Sequence, residues 1–312
     1  MEVVLAYILD LLIGDPEGYP HPVRIIGRMI SSVESILRKY AKSGKVLKIA
    51  GFILCGFTVS VAFVTTYALL YIAGLISLYL KYALNVLIIY TCLATKDLGK
   101  AAGKVYEELS KDDIVEARKK LSLIVSRDTE RLDIEGISRG AIETVAENIS
   151  DGIIAPMFYA FIGGAPLAIF YKAASTLDSM VGYKNEKYID LGFASAKLDD
   201  ILNFIPARIT GFLIAVSAFL MGYDCKNSWR IFLRDRLKHQ SPNSAHGEAA
   251  VAGALNIQLG GLNYYFGKPE IKPTIGDRKE KITPQHIKDS IKIMYMTSFL
   301  GLIVFYIGRE LI

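Results

Sequence analysis

An uncharged run from Ile49 to Leu80, separated by Lys81 alone from a second run that continues to Thr95, constrains this chain more than any other feature. A segment of about twenty apolar residues already spans a hydrocarbon core, so these runs read as membrane helices, a hairpin breaking near Gly74. Three further candidates are Gly152 to Tyr171, roughly Ile201 to Tyr223 with Arg208 inside, and Ile293 to Gly308. The last two have apolar cores of only about fifteen residues, near the lower edge of spanning length. Hydrophobic content of 52% in 312 residues would also suit soluble domains, so the distribution decides and the total does not. The expected fold is all-α: a polytopic integral membrane protein with about four to six membrane helices, some broken or re-entrant, and cytoplasmic helical segments. One membrane-embedded catalytic domain over residues 1–312 is expected, with a cytoplasmic helical segment at 96–151 and a second polar segment at 224–292.

The N-terminal "VVLAYILDLLIG" is apolar but short, and it has neither a basic leading region nor a small-residue cleavage site. It predicts a retained first membrane segment or an interfacial helix, not a removed signal peptide. The three cysteines, Cys55, Cys92 and Cys225, make no disulfide framework and no metal-type pair. Net charge is +5, with the bases gathered between the apolar runs: Arg24, Arg28, Arg38, Lys39, Lys42, Lys45 and Lys48 outnumber Asp15, Glu17 and Glu34. By the positive-inside rule that loop is cytoplasmic, and the chain is expected in the cytoplasmic membrane with its site facing the cytoplasm. Orientation explains the basic charge, so no nucleic-acid partner is expected, whereas the lipid bilayer is.

Within the third apolar run, Pro156, Gly163, Gly164 and Pro166 predict a broken or re-entrant helix. Irregular backbone at membrane depth is tolerated only where it is buried in protein or lines a cavity. If every apolar run spans once, the loop from Lys172 to Asp200 lands on the far side of the membrane from 96–151; a re-entrant segment would return it.

Ahead of that run, "ETVAENISDG" sets Glu143, Glu147 and Asp151 at steps of four, about 40° apart on a helix, with Asn148 beside Glu147. Crowded carboxylates repel one another and attract cations; Mg²⁺ carrying phosphate oxygens suits such hard donors. A solvated face paired to Arg139 or a lysine is the plain alternative. "SRDTERLD" supplies Arg127 and Asp128, and guanidinium groups suit phosphate or carboxylate. Lys172 and Asp178 follow the broken run, and Asp199 and Asp200 precede the next, which Arg208 enters after Pro206. Charges so near hydrocarbon are costly unless they face a cavity or snorkel. "HQSPNSAHGEAAVAG" sets Ser241, Asn243 and Ser244 ahead of a helix, in the pattern of an N-cap whose free N–H groups hold an anion. "GDPEGYPHPVRIIG" carries Asp15, His21 and Arg24 on a rigid loop that either positions groups or turns a corner. Phosphate-binding loop, dinucleotide fingerprint and nucleophile elbow are all missing, so nucleotide chemistry here needs another kind of site.

Taken together and in order, "DLLIGDPEGYPHPVRIIGRMI", "SRDTERLD", "AIETVAENISDGIIAPMFYAFIGGAPLAIFYKAASTLDSMVGYKN", "AKLDDILNFIPARITG" and "RDRLKHQSPNSAHGEAAVAGALNIQLGG" resemble the cobalamin biosynthesis membrane protein family, the adenosylcobinamide-phosphate synthases. The resemblance covers nearly the whole chain. It implies ATP-dependent amide ligation of a corrinoid, adenosylcobyric acid, with aminopropanol or its O-phosphate, and it implies Mg²⁺. Such chemistry needs metal-held triphosphate, cations to stabilise developing charge, and a base for the amine. The residue types then suggest Glu143, Glu147 and Asp151 for metal; Arg127, Arg139, Lys172 and Arg208 for phosphate; and Asp178, Asp199 or Asp200 for metal or base. Asp15, His21, Arg24, Asp128, Asn148, Ser241, Asn243 and Ser244 are the remaining candidates for substrate or phosphate. Two rivals share parts of the pattern. "ENISD" and "LDDILN" look like the paired Mg²⁺ sites of intramembrane transferases acting on a diphosphate, and broken helices with intramembrane charge suit an ion-coupled carrier, though no internal repeat supports the latter.

Overall fold

The apolar runs fold as helices in a computed structural model that describes residues 1–15, 21–265 and 267–311. Residues 16–20 of the proline- and glycine-rich loop lie outside the described residues. The helices are α1 (Glu2–Ile13), α2 (Pro22–Tyr40), α3 (Gly44–Ile76), α4 (Leu78–Tyr90), α5 (Thr95–Ser110), α6 (Ile114–Ser122), α7 (Ile134–Asn148), α8 (Ala155–Val181), α9 (Phe193–Leu202), α10 (Phe204–Leu220), α11 (Cys225–Asp235), α12 (Ala245–Ala254) and α13 (Gln285–Glu310). A π-helical segment, Ile149–Ile154, follows α7, and strands β1 (Gln258–Tyr265) and β2 (Lys268–Gly276) form an antiparallel hairpin.

Four helical stretches are long and apolar enough to cross a membrane: Gly44–Ile76, Leu78–Ser110, Ile134–Val181 and Gln285–Glu310. Phe193–Leu202 with Phe204–Leu220 is a fifth candidate, broken at Asn203. The expected polytopic all-α architecture is therefore present. The first hairpin breaks at Ser77, in extended conformation, just beyond Gly74. At only 12 residues, α1 falls well short of the roughly 20 that a span needs.

Where one domain is expected, the described chain groups into two compact units. The first contains residues 1–94, 155–203 and 305–312, the second 95–154 and 204–304. Because the units alternate along the chain, no Pro- or Gly-rich linker marks a boundary in the sequence. In the first unit α3 packs on α8, α4 and α9, and Tyr90 Oη donates to Gly14 O, fixing the end of α1. In the second, caps start the helices: Asp113 accepts from Glu116 N–H at 2.9 Å, Asp133 from Gly136 N–H at 2.8 Å and Asp224 from Asn227 N–H at 2.9 Å.

Every residue of α12, "AHGEAAVAGA", is buried. Its small side chains let it pack closely: a Cβ on Gly247 would collide with Ala146 O of α7, and one on Gly253 with the α11 backbone at Asn227 and Ser228. The hairpin register runs from Gln258 opposite Gly276 to Tyr265 opposite Lys268, with an irregularity between Leu259 and Gly261. Gly260 (φ 79°) and Gly261 (φ 83°) both take left-handed conformations there, which a side chain would strain.

Candidate active site

Helix α7 carries Arg139, Glu143 and Glu147 at successive steps of four, so they share one face. Glu143 is buried, and Arg127 reaches it through Nη2 from the loop before α7. Both side chains are nearly inaccessible, at 7% for Arg127 and 6% for Glu143. The pair is closed from the hairpin: Asn263 Oδ1 accepts from Arg127 Nη1, and Gly260 N–H donates to Glu143 Oε1 at 2.7 Å. The irregularity at Gly260 turns that N–H inward. Burial works against the Arg127 charge, but Glu143 outweighs it and raises the guanidinium pKa.

Two charges that the sequence does not advertise complete the cluster. Burial, then repulsion from Glu143 and Glu147, pushes the Glu248 carboxyl of α12 well above the usual carboxylate range. Lys272 of β2 is desolvated too, yet its bond to Tyr265 outweighs burial and raises its pKa. Neither Glu147 nor Glu248 has a hydrogen-bond partner among the described residues. An excess of buried carboxylate over bound cation is thus built into the α7–α12 contact.

The expected metal stripe is divided. Glu143 is committed to Arg127 and Gly260, and the wider π turn rotates Asp151 off the line an unbroken α-helix would give it. Among the described residues no group of three His, Cys, Asp or Glu is arranged to hold a metal ion. What remains is Glu147 with Glu248. Mg²⁺ takes one or two carboxylates plus substrate phosphates more often than an all-protein cage, so this donor set fits a nucleotide-borne ion.

Arg139 lies against the glycine pair, its Nη1 3.8 Å from the place of a Cβ on Gly261. Its Nη2 donates to Leu262 O at 3.2 Å, while its buried Nε has no partner. A cavity of about 80 Å³ there is lined by Arg139, Gly260, Gly261 and Arg278. Arg127 and Arg139 thus flank the hairpin glycines, and Arg139, unlike Arg127, has no carboxylate partner among the described residues.

Other candidates in this unit serve the fold. Asp128 Oδ2 accepts from Gly267 N–H at 2.7 Å, tying the loop to the hairpin turn. Asn148 Nδ2 turns back onto Thr144 O at 2.9 Å. Ser244 enters α12 in helical conformation and makes no capping bond, so the expected side-chain cap is not formed there. Ser241 Oγ accepts from Asn243 N–H at 3.3 Å. Arg208 donates to Phe204 O at 2.6 Å and to Asn243 Oδ1 at 3.4 Å, its guanidinium 3.5 Å over the Phe204 ring. Burial, with Arg208 nearby, pushes His246 down to about 4, so it is neutral, with Nδ1 at 3.1 Å from Asn243 O.

Asp15, His21, Arg24, Lys172, Asp178, Asp199 and Asp200 belong to the first unit. His21 lies 3.4 Å from Asp15 and caps α2 by accepting from Val23 N–H at 3.3 Å. Arg24 is exposed. Asp200 pairs with Lys197 at 3.1 Å. Asp199 is held in a chain: Tyr171 Oη donates to Asn203 Oδ1 at 2.8 Å, and Asn203 Nδ2 donates to Asp199 Oδ2 at 3.0 Å. The Asp178 side chain lies over Gly182 at the end of α8. Lys172 is half-buried, without an ion pair among the described residues.

Missing from the sequence reading were Glu248 and Lys272 as members of the cluster, and Asn263 and Gly260 as its supports. Only Glu248 leaves a signal: a lone acid in a helix otherwise made almost entirely of Ala and Gly.

Fold and cluster define a polytopic helical membrane protein with a buried, carboxylate-rich polar site beside a glycine hairpin. Comparison with known proteins then gives the family. A family model described as "CobD/Cbib protein" matches residues 3–294, and the chain belongs to that family. It is 53% identical over 309 residues, 99% of this chain and 98% of the relative, to "Cobalamin biosynthesis protein CobD" of Clostridium perfringens. The protein of the same name from Listeria monocytogenes is 48% identical over 300 residues, 96% of this chain and 95% of its own. "Cobalamin biosynthesis protein CbiB" of Salmonella arizonae is 47% identical over 305 residues, 98% and 96% of the two chains. No solved structure matches.

Proposed function

We propose that this protein acts in cobalamin biosynthesis as an ATP-dependent ligase, joining the free carboxylate of adenosylcobyric acid to the amine of aminopropanol or its O-phosphate. Its membership of the CobD/CbiB family and the names of its relatives support the pathway. The observation that carries the reaction class is the cluster of Glu143, Glu147, Glu248, Arg127 and Lys272, with Glu143 and Glu248 buried, beside Arg139 and the Gly260–Gly261 backbone.

A carboxylate resists attack by an amine until one of its oxygens is phosphorylated and can leave as phosphate. ATP supplies that phosphoryl group, and ADP, phosphate and one proton from the ammonium leave as the amide forms. Glu147 and Glu248 would hold Mg²⁺, which neutralises triphosphate charge when bound. Arg139, whose guanidinium borders the cavity and has no carboxylate partner among the described residues, binds phosphate, and Lys272 balances charge nearby. The Arg127–Glu143 pair holds the hairpin glycines at the end of α7 rather than meeting substrate.

The test is incubation of purified protein with adenosylcobyric acid, ATP, Mg²⁺ and each amine in turn, with the corrinoid product identified by mass. Amide formation matched by ADP release is expected with one amine. Absence of an ATP-dependent corrinoid product with both would overturn the proposal.

A further inference from the structure

The broken helix α8 opens a second site in the first unit, and nothing in the ligase reading uses it. At Gly163 and Gly164 the backbone leaves helical geometry, and Gly164 takes φ 65°. The helix restarts at Ala165, whose N–H donates to Asn85 Oδ1 of α4 at 2.9 Å. That bond fixes the amide: Oδ1 accepts from Ala165 N–H, and both Oδ1 and the Nδ2 group, with two donors, lie against Gly164 at the helix break. Asn85 is 8% exposed, and its Nδ2 has no hydrogen-bond partner among the described residues. An amide donor without a protein partner at that depth is available to a guest that supplies an acceptor.

Asn85 borders a cavity of about 490 Å³. Tyr67 and Tyr71 of α3, Lys81 and Tyr82 of α4 and Glu2 of α1 line it as well. This is the end of the α3–α4 hairpin, opposite the start of α3 with its Lys45 and Lys48. Tyrosine and lysine gather there as they do at a membrane–water boundary. Lys81 and Glu2 form no ion pair among the described residues, so the cavity offers one cation and one carboxylate to a guest. Ile72, Leu75, Ile76 and Leu78 at the turn, and Ile162 at the helix break, are exposed apolar side chains. A guest with acyl chains enters sideways along those faces, whereas a soluble anion gains nothing from them.

We propose that this cavity holds the headgroup of a phosphatidylethanolamine-class lipid. Its phosphate lies at Asn85 Nδ2 and Lys81, and its ammonium lies at Glu2 among the tyrosine rings. Opposite charges on the two sides select a zwitterion: Glu2 repels a purely anionic headgroup, and a primary ammonium gives it N–H donors that choline lacks. The second half of α8 points its N-terminus, the positive end, at the same cavity.

The experiment is native mass spectrometry of the full chain, taken from nanodiscs containing equal phosphatidylethanolamine, phosphatidylglycerol and phosphatidylcholine. The wild type is expected to keep phosphatidylethanolamine about tenfold over either competitor, a difference of about 1.4 kcal/mol. Because Asn85 supports the helix break, Asn85→Leu risks the fold. Glu2→Gln and Lys81→Met remove no hydrogen bond of the described chain and carry the test. Glu2→Gln is expected to erase the preference over phosphatidylcholine, and Lys81→Met to weaken retention of all three lipids. Equal retention by the wild type, retention of phosphatidylglycerol instead, no retained lipid, or an unchanged profile in both variants would each overturn the proposal.

Discussion

Glu143 and Glu147 stand one turn apart on α7, and their surroundings give them different roles. Glu143 is neutralised by Arg127 and bonded to Gly260 N–H, so Glu143→Gln leaves a guanidinium buried without its counter-charge. Breaking a buried pair from one side costs about 3–5 kcal/mol, and denaturant unfolding in detergent is expected to show a loss of that size. Glu147 has no such partner, so Glu147→Gln is expected to change stability by less than about 1 kcal/mol. The same variant should raise the Mg²⁺ needed for half-maximal turnover at least several-fold. Unchanged Mg²⁺ dependence in Glu147→Gln would remove the carboxylate from the metal role, whatever Glu143→Gln does. At this scale the sequence was legible in kind and not in pairing. It singles out Arg127, Glu143 and Glu147 from local charge density, but cannot show that Arg127 and Glu143 answer each other, because the hairpin that closes over them lies more than a hundred residues away. Lys272 escapes notice for the same reason: on its strand it reads as one more surface base.

Among the elements, α12 decides whether the cluster exists. Its Gly247 meets the Ala146 carbonyl so closely that Gly247→Ala must push α7 and α12 apart, because backbone cannot yield as a flexible side chain does. The expected result is a loss of about 1–3 kcal/mol in unfolding measurements, with a fall in turnover from the separation of Glu248 from Glu147. Asp235 does similar work at the end of α11. It is fully buried, accepts from Gly276 N–H at 2.8 Å and pairs with Arg234 and Lys238, both at 2.7 Å. Burial would raise its carboxyl, but those three partners outweigh it and hold it well below the usual range. The depressed value means that the unfolded chain takes up a proton first as pH falls. The contribution is complete above about pH 5 and is lost progressively below about pH 4, as pH falls toward the folded value. Asp235→Asn should therefore cost stability at pH 7 and flatten its dependence on pH below about 5, read from melting curves across pH. The apolar spans and the break at Gly163–Gly164 were legible, since length and helix-breaking residues carry them directly. The hairpin was not: "QLGGLNYY" interrupts its alternation with two glycines, and β2 contains Pro269 and Pro273, all of which weaken the signal of a strand.

For the whole molecule, the sidedness of the membrane links the fold to the proposed chemistry. α3 has 33 residues, about 50 Å of helix, against a hydrocarbon core of about 30 Å, so it crosses once with turns to spare. Lys39, Lys42, Lys45 and Lys48 gather before and at its start, and the positive-inside rule predicts that end on the cytoplasmic side. The same rule predicts the turn at Ser77 on the opposite side and a return through the next candidate span, Leu78–Ser110. Lys111, exposed just beyond it, should share the side of Lys42, and the segment with Arg127, Arg139 and Glu143 follows directly. A ligase that consumes ATP needs that segment on the cytoplasmic side. Single cysteines placed by Lys42→Cys, Ser77→Cys and Lys111→Cys, in a chain whose own Cys55, Cys92 and Cys225 are replaced by serine or alanine, test this with a membrane-impermeant thiol reagent. In intact cells only Ser77→Cys is expected to react, and Lys42→Cys and Lys111→Cys only after permeabilisation. Reaction of Lys111→Cys in intact cells would place the carboxylate cluster away from ATP and defeat the ligase reading, while leaving the family and the membrane fold as they stand.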